Sequence, residues 1–532
     1  SLMVVCGNTL TCRARQGGFV VSYDVKALVF LCEPKKGCVI VLRIRIGELK
    51  LHLRREADDT GVLIINAQAA LFLDRIACAY YEALFEEFDM LAGRLAGMEG
   101  AAGGSALSKP EPQSKSQTWS PLARIFGTAS HGAWDSTDIS NPHEVGVALA
   151  PRVIKRIRRK FRVDKQQAAA DWERLWGSVL AVAEGGMCPF SDFEVKRIPP
   201  LSIELKAPYR CDLILTYRCQ NDCAHCYAGG PHVTAELSKD QWKQIIDRLA
   251  DWGVPTVVFT GGEPLLYEGI TELVRHAEDK GLITGLITNG RLLTEPKASE
   301  LAGAGLDFAQ ITLESLIPEV HDKMVGVEGA WAETVDGIRN SASRIYTTTN
   351  TTITMDNADT VLETIRFIKS LGVEKFGLNA LIRSRRGASH EGLEPPKLKT
   401  LLEEVIGTSA DEDFPFIWYT PTCYKELNPV ALALGVKTCS AASTVMAIEP
   451  DGNVMPCQSY YKSIGNALTD EFSNIWNHPL ARALRHRRVP GTAEHPDFPP
   501  LPGECVSCEE LSLCGGGCPL ERMQAAGAQG EG

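Results

Sequence analysis

Three regimes of apolar and polar positions follow one another along the 532 residues. Over residues 1 to about 92, the short runs FVVSYDV, CVIVLRIRI and VLIINA read as strands, and LDRIACAYYEALFEEF spaces its apolar positions as a helix does. The stretch AGMEGAAGGSALSKPEPQSKSQTWSP has no periodic apolar face and reads as a flexible insertion around 95–150. Helical periodicity returns over 153–184, where the RIRRK run reads as a solvated helix face in preference to a nucleic-acid patch.

From residue 211 the pattern becomes regular. Strands are expected at 212–217, 256–260, 283–288, 308–313, 347–354 and 375–380, separated by helices at 236–252, 268–280, 294–304, 331–344 and 358–371. Six strands alternating with helices imply an α/β fold of parallel βα units, whose functional residues sit in the loops after the strands. CQNDCAHC follows the first strand and GGEP the second, so two unusual features fall on one rim. After about 410 the alternation is expected to stop, and the chain turns Pro-, Gly- and Cys-rich, as a domain held together by metal does.

A net charge of −11 argues against a nucleic-acid partner. The apolar runs are strand-sized, well short of the roughly 18 residues of a membrane helix, and the N-terminus lacks a signal-like segment, so a cytoplasmic protein without a membrane partner is expected. The seventeen cysteines are unevenly placed. Cys6, Cys12, Cys32, Cys38, Cys78, Cys188 and Cys211 read as small buried apolar residues. Cys219, Cys223 and Cys226 are spaced C-x3-C-x2-C, one ligand short of a closed tetrahedral zinc site. Zinc remains one reading, and a cluster whose fourth iron stays free is the other.

The three cysteines, the GGEP loop and the six βα units together resemble the radical S-adenosylmethionine superfamily. The resemblance implies a partial, TIM-like (βα)6 barrel over 205–410. It also implies a [4Fe–4S] cluster on Cys219, Cys223 and Cys226, with S-adenosylmethionine chelating the fourth iron. Reductive cleavage of the sulfonium then gives a 5′-deoxyadenosyl radical that abstracts hydrogen from an unreactive C–H bond; the cofactor carries this chemistry and the protein orients it. Carried over by position, His225 and Tyr227 would lie near the adenine, and Gly261, Gly262, Glu263 and Pro264 would receive the methionyl amino group. Asn289 in TNG, and Glu314 and Ser315 after the fourth strand, would face the cofactor or substrate. Glu314 stands as the candidate catalytic carboxylate, with a simple rim ion pair as the alternative.

The C-terminal cysteines resemble a SPASM domain, here expected over 415–525, which holds up to two auxiliary [4Fe–4S] clusters. By the family pattern Cys439, Cys457 and Cys518 would serve the first cluster, and Cys505, Cys508 and Cys514 the second; a zinc ribbon is the alternative for the last four. No cysteine follows Cys518 in this sequence to complete the pattern. The second cluster is therefore expected to be open, to use Glu521 or to be absent, and Cys423 is the candidate fourth ligand of the first. Gln458 follows Cys457 where sulfatase-maturing members carry an Asp base, and an amide cannot take up a proton at neutral pH, which disfavours that chemistry.

The N-terminal pieces (1–190) resemble the winged, strand-plus-three-helix peptide-recognition element of peptide maturases, similar to the pyrroloquinoline-quinone peptide chaperone (PqqD-like), which binds a leader as an added strand. The resemblances together imply a peptide or protein maturase forming a thioether, C–C or related linkage, with a flavodoxin or ferredoxin as electron donor. A small-molecule enzyme such as a tetrapyrrole side-chain decarboxylase is the rival reading, and a cluster protein without turnover a third.

Overall fold

Contacts divide the chain of this computed structural model into two units, Ser1–Lys196 and Arg197–Gly532. The structure describes residues 10–16, 19–25, 28–29, 40–46, 49–56, 61–65, 69–73, 75–99, 141–161, 163–183, 205–230, 235–432, 434–487, 496, 501 and 503–523. The insertion expected around 95–150 falls largely outside them, as do Cys6, Cys32, Cys38 and Cys188.

In the first unit, β1 (Leu10–Gln16) and β2 (Phe19–Val25) form an antiparallel hairpin. Strands β3 (Leu28–Val29), β4 (Ile40–Ile46), β5 (Leu49–Arg55), β6 (Gly61–Ile65) and β7 (Ala69–Leu73) make an antiparallel sheet in sequence order. The three runs expected as strands fall in β2, β4 and β6, and LTCRARQ, LKLHLRR and AALFL are further strands that the reading did not separate. Helix α1 (Arg75–Glu99) buries Tyr80, Tyr81, Phe85 and Phe88. The Tyr80 and Tyr81 hydroxyls donate to the carbonyls of Ala168 (3.1 Å) and Leu175 (2.9 Å). The 153–184 stretch is split between α2 (Pro142–Phe161) and α3 (Lys165–Ala183), with Asp164 accepting from Gln167 N at 2.9 Å. Along α2, Val145, Leu149, Val153 and Ile157 repeat at i+4 and face the core, which turns the basic run outward. That run meets the acids of α1: Arg156 pairs with Glu86 and Glu87, Arg152 with Glu87 and Lys160 with Glu82.

The second unit is built on β8 (Arg210–Thr216), β9 (Thr256–Gly261), β10 (Ile283–Thr288), β11 (Phe308–Thr312), β12 (Tyr346–Ile353) and β13 (Lys375–Ala380), each parallel to the next. All six expected strands are present within two residues of their expected ends. The sheet does not stop there. Strand β14 (Phe416–Trp418) adds in parallel beyond β13, β15 (Val445–Ile448) adds in parallel beside β8, and β16 (Val454–Met455) closes that edge. The regular alternation of strands and helices does stop after the helix Pro395–Asp411 and β14, and the strands beyond it, of two to four residues, are too short to show a period. The Cys-rich region is thereby hydrogen-bonded to both edges of the barrel sheet.

Helices cover the outer face through amphipathic stripes. In α4 (Lys239–Asp251) Trp242, Ile245, Ile246 and Leu249 are buried, and a capping box joins Ser238 and Gln241. The inner face is polar where it meets the carboxyl ends of the strands: Thr260, Thr288, Thr312, Asn350, Thr352 and Asn379 all line one cavity. Among the described residues, no helix is long and apolar enough to cross a membrane.

Candidate active site

The cavity has a volume of about 740 Å3. Cys219, Cys223 and Cys226 line it from the loop after β8, and Cys439, Cys457 and Cys518 line it from the C-terminal region. The β8 loop is shaped by protein contacts alone. Asp222 N donates to Val325 O (2.8 Å) and Ala224 N to Met324 O (3.2 Å), both at the end of α7 (Pro318–Val325), a helix the periodicity did not separate. Arg386 pairs with Asp222 and also approaches Cys226. Cys219 Sγ accepts from Asn221 N at 3.4 Å and lies 3.9 Å from Asn289 Nδ2. Burial pushes the Cys223 thiol up, and the neighbouring Cys226 thiol and Glu314 push it further. Thiols that raise one another in this way are ready donors for a cation, which would reverse the balance and hold them as thiolates.

The GGEP loop is pressed against the same segment. A Cβ on Gly261 would stand 2.2 Å from Thr216 O, and one on Gly262 2.5 Å from Arg218 O and 2.6 Å from Tyr217 O. Gly262 N and Glu263 N donate to Thr216 O and Arg218 O, each at 2.8 Å. Alanine at Gly262 is therefore expected to displace the cysteine loop, costing about 1–3 kcal/mol in urea denaturation together with most S-adenosylmethionine binding.

Gly261 and Gly262 line the cavity; Glu263 and Pro264 are buried behind it. The Glu263 carboxylate accepts from Thr288 Oγ1 (2.8 Å), Asn289 N (2.9 Å) and Leu265 N (3.0 Å), so its role is to tie the loops after β9 and β10 together. Burial outweighs these donors and raises Glu263 to about 7. A carboxyl raised in the folded state keeps its proton after the unfolded chain has lost it. Stability should therefore fall as pH rises from about 4.3 to about 7, by roughly 3 kcal/mol, and then level off. Glu263→Gln should remove that part of the slope in urea midpoints measured across this range.

Glu314 follows β11 and is 1% exposed. Its Oε1 lies 2.9 Å from His225 Nε2, and its Oε2 accepts from Thr352 N at 2.8 Å. Glu314 N donates to His321 Nδ1 (3.2 Å), and Glu314 O accepts from Asn357 Nδ2 (2.8 Å). Burial would lower the His225 imidazole, but Glu314 beside it prevails and the net direction is upward. His225 Nδ1 is buried without a protein partner, and both residues line the cavity. Ser315, expected beside the cofactor, points elsewhere: it is fully buried, bonds Thr360 Oγ1 at 3.0 Å and does not line the cavity. Tyr227 lines the cavity, and its carbonyl accepts from Tyr461 OH at 3.2 Å. Arg385 lies over the Tyr461 ring at 4.1 Å. Sequence reading missed Arg383 and Arg386, which also line the cavity; their only signal is the basic IRSRRG run after β13.

The remaining clustered cysteines form two neighbourhoods. Cys439 and Cys457 act on Cys518, as does Glu521, and all four residues line the cavity. Cys423 and Cys514 act instead on Cys505. Cys423 lies by both sets: Tyr424 beside it packs with Leu513 and Cys514, and the Cβ position of Gly517, next to Cys518, is 3.6 Å from Cys423 N. Cys78 and Cys211 are buried, as small apolar residues are.

Among the described residues, no three Cys, His, Asp or Glu side chains converge tightly enough for one metal ion. A zinc ion needs every sulfur at ~2.3 Å. A cubane of four irons spreads its thiolates more widely, so the donor type and loose grouping fit an iron–sulfur cluster better than zinc.

Residues 213–368 match the radical SAM superfamily, and residues 439–509 match the SPASM iron–sulfur cluster-binding domain. The chain belongs to the radical SAM superfamily. It carries a SPASM domain, and its cofactors are S-adenosylmethionine and [4Fe–4S] clusters. The AdoMet-dependent heme synthase of Methanosarcina barkeri is 27% identical over 333 residues, which is 59% of this chain and 91% of that protein. The PqqA peptide cyclase of Xanthomonas campestris is 27% identical over 352 residues, 62% of this chain and 84% of the relative. In fold, the chain is similar to Streptococcus suis SuiB, solved bound to its precursor peptide SuiA, with a TM-score of 0.55 at 15% identity, covering 88% of this chain and 96% of SuiB. This radical SAM enzyme therefore has relatives that act on a peptide and relatives that make haem.

Proposed function

We propose that this radical SAM/SPASM enzyme is a peptide maturase, which abstracts hydrogen from a precursor peptide to form a thioether, C–C or related linkage. The observation that carries the reading is the extent of the fold likeness. Coverage of 88% is more than residues 197–532 alone can supply, so the first unit belongs to the architecture shared with a peptide-bound enzyme. The haem-synthase relative matches 59% of this chain and leaves the remaining two fifths or so without a counterpart. An antiparallel sheet such as β3–β7 offers edge strands to which a leader peptide can add.

With cluster and S-adenosylmethionine bound, the radical generated at the 5′ carbon supplies the oxidising power. Cys219, Cys223 and Cys226 would hold the cluster. Gly261 and Gly262, having no side chains, leave backbone carbonyls open to an ammonium group. His225, fixed by Glu314, lines the cavity, and its buried, unpartnered Nδ1 would supply a hydrogen-bonding group for the cofactor or substrate. Thr352, Asn350 and Asn379 give the floor a neutral polar surface, with Asn350 Nδ2 bonded to Asn379 Oδ1 at 2.7 Å. Such groups can donate to and accept from the amides of a peptide. Reduced iron–sulfur chemistry supports a cytoplasmic enzyme supplied by an electron donor such as a flavodoxin or ferredoxin.

The test is anaerobic co-expression with any short peptide encoded beside this gene, in parallel with a Cys223→Ala variant. Loss of hydrogen from the peptide mass with the intact enzyme alone is expected. An unchanged peptide, alongside conversion of a supplied haem precursor, would favour the small-molecule reading that the haem-synthase relative supports.

A further inference from the structure

The segment after β13 grips the loop that carries Cys219, Cys223 and Cys226. It is a single helical turn, Arg385–Ala388, and three contacts fix it in place. Ser384 Oγ, just before the turn, donates to Ser459 O at 2.9 Å. The Arg385 guanidinium lies 4.1 Å from the centre of the Tyr461 ring, whose hydroxyl donates to Tyr227 O. The Cβ position of Gly387 is 3.1 Å from His225 O. Arg385 itself has φ +52°, a conformation uncommon for a residue with a side chain and held by its surroundings.

This placement lays Arg386 across Gly229, where a Cβ would overlap Nε and stand 2.9 Å from Nη2. Gly229 N in turn donates to Cys226 O at 3.3 Å. Arg386 Nη1 pairs with Asp222, the guanidinium approaches Cys226, and Nε is buried without a partner among the described residues. The groups near the Cys219 sulfur, Asn221 N and Asn289 Nδ2, are neutral by contrast.

We infer that Arg386 sets the reduction potential of the cluster on Cys219, Cys223 and Cys226, through a charged contact at the Cys226 sulfur. The inference rests on the superfamily assignment and holds whichever substrate the enzyme takes. Reduction adds one electron, and so one negative charge, to the cluster. A guanidinium keeps its proton at any working pH, so it favours the reduced form and raises the potential. Asp222 opposes it, but that side chain is 78% exposed and screened by water, so the offset is partial.

The experiment is an anaerobic redox titration of the reconstituted full chain without S-adenosylmethionine, read by electron paramagnetic resonance. The signal of interest is the component missing from the Cys219→Ala, Cys223→Ala, Cys226→Ala variant. Arg386→Gln should cut the ratio of reduced to oxidised cluster about ten-fold at a fixed potential, equivalent to about 59 mV for one electron. Arg386→Lys should restore more than half of that shift, since the charge remains. Asp222→Asn should move the ratio the opposite way, and the double variant should return it close to the unmodified value. Lys323→Gln removes an exposed cation of α7 and should change nothing, because water and salt screen a distant charge. Iron content and circular dichroism check that each variant is folded. If Arg386→Gln loses its iron, Asp222→Asn decides: an upward shift supports the inference and an unchanged potential overturns it. Equal potentials in the Arg386→Gln and Lys323→Gln chains would also overturn it. So would weaker S-adenosylmethionine binding at an unchanged potential, which would make Arg386 a cofactor contact instead. A chain whose iron and signal survive replacement of all three cysteines would refute the cluster site itself, and the inference with it.

Discussion

Alanine at Cys223 is expected to abolish cleavage of S-adenosylmethionine, by more than about a thousand-fold, while the chain stays folded. Iron content should fall by about four atoms per chain, one cubane. The loop keeps its shape without the thiol because its backbone is held from α7, through the Asp222 N to Val325 O and Ala224 N to Met324 O bonds, and by the Arg386–Asp222 pair. What is lost is a donor that no neighbour replaces: Cys219 and Cys226 are the other thiols of that loop, and each is already assigned an iron. Iron analysis, circular dichroism and 5′-deoxyadenosine assay on the same preparation check the three parts of the prediction. Retained iron with retained cleavage would remove Cys223 from the ligand set.

Glu314→Ala should be the most damaging substitution outside the cysteines. The carboxylate is buried and satisfies His225 Nε2 and Thr352 N at once, so its loss strands two buried groups. Breaking a buried pair of this kind costs about 3–5 kcal/mol, which urea denaturation will read. Product formation should fall roughly a hundred-fold, as expected when a positioned group loses its support. Glu314→Gln separates the two functions. Its amide oxygen can still accept from Thr352 N, holding the loss of stability to about 1–2 kcal/mol. The glutamine has no charge to hold His225 upward, so a large loss of product with this variant would trace to the His225 pair. Unchanged activity in Glu314→Gln would reduce the carboxylate to a structural tie.

The fold and the cysteine sites differed in how much of each the sequence made legible, and the reasons are physical. Most of the barrel strands showed as apolar blocks between amphipathic helices, and β12, YTTTNTTI, as a run of β-branched residues. Strands β14 and β15 did not, since three or four residues carry no period. Cys219, Cys223 and Cys226 were legible because one loop supplies all three. The surroundings of Cys423 carried no local signal, because Cys505, Cys514 and Cys518 lie more than eighty residues away in sequence and only packing brings them near. Ser315 and Glu263 show the complementary error. A motif position fixes where the backbone goes, and the side chain there is free to tie loops together, as Glu263 ties Thr288 to Leu265. The Glu314–His225 contact, 89 residues apart, had no local signal beyond two polar residues in the loops after β8 and β11.

The most direct measurement is the yield of 5′-deoxyadenosine from the full chain, anaerobically reconstituted, reduced with dithionite and supplied with S-adenosylmethionine. At least one equivalent per radical cluster is predicted, with none from the Cys219→Ala, Cys223→Ala, Cys226→Ala variant. A chain that holds all its iron, binds S-adenosylmethionine and still forms no more 5′-deoxyadenosine than that variant would contradict the account.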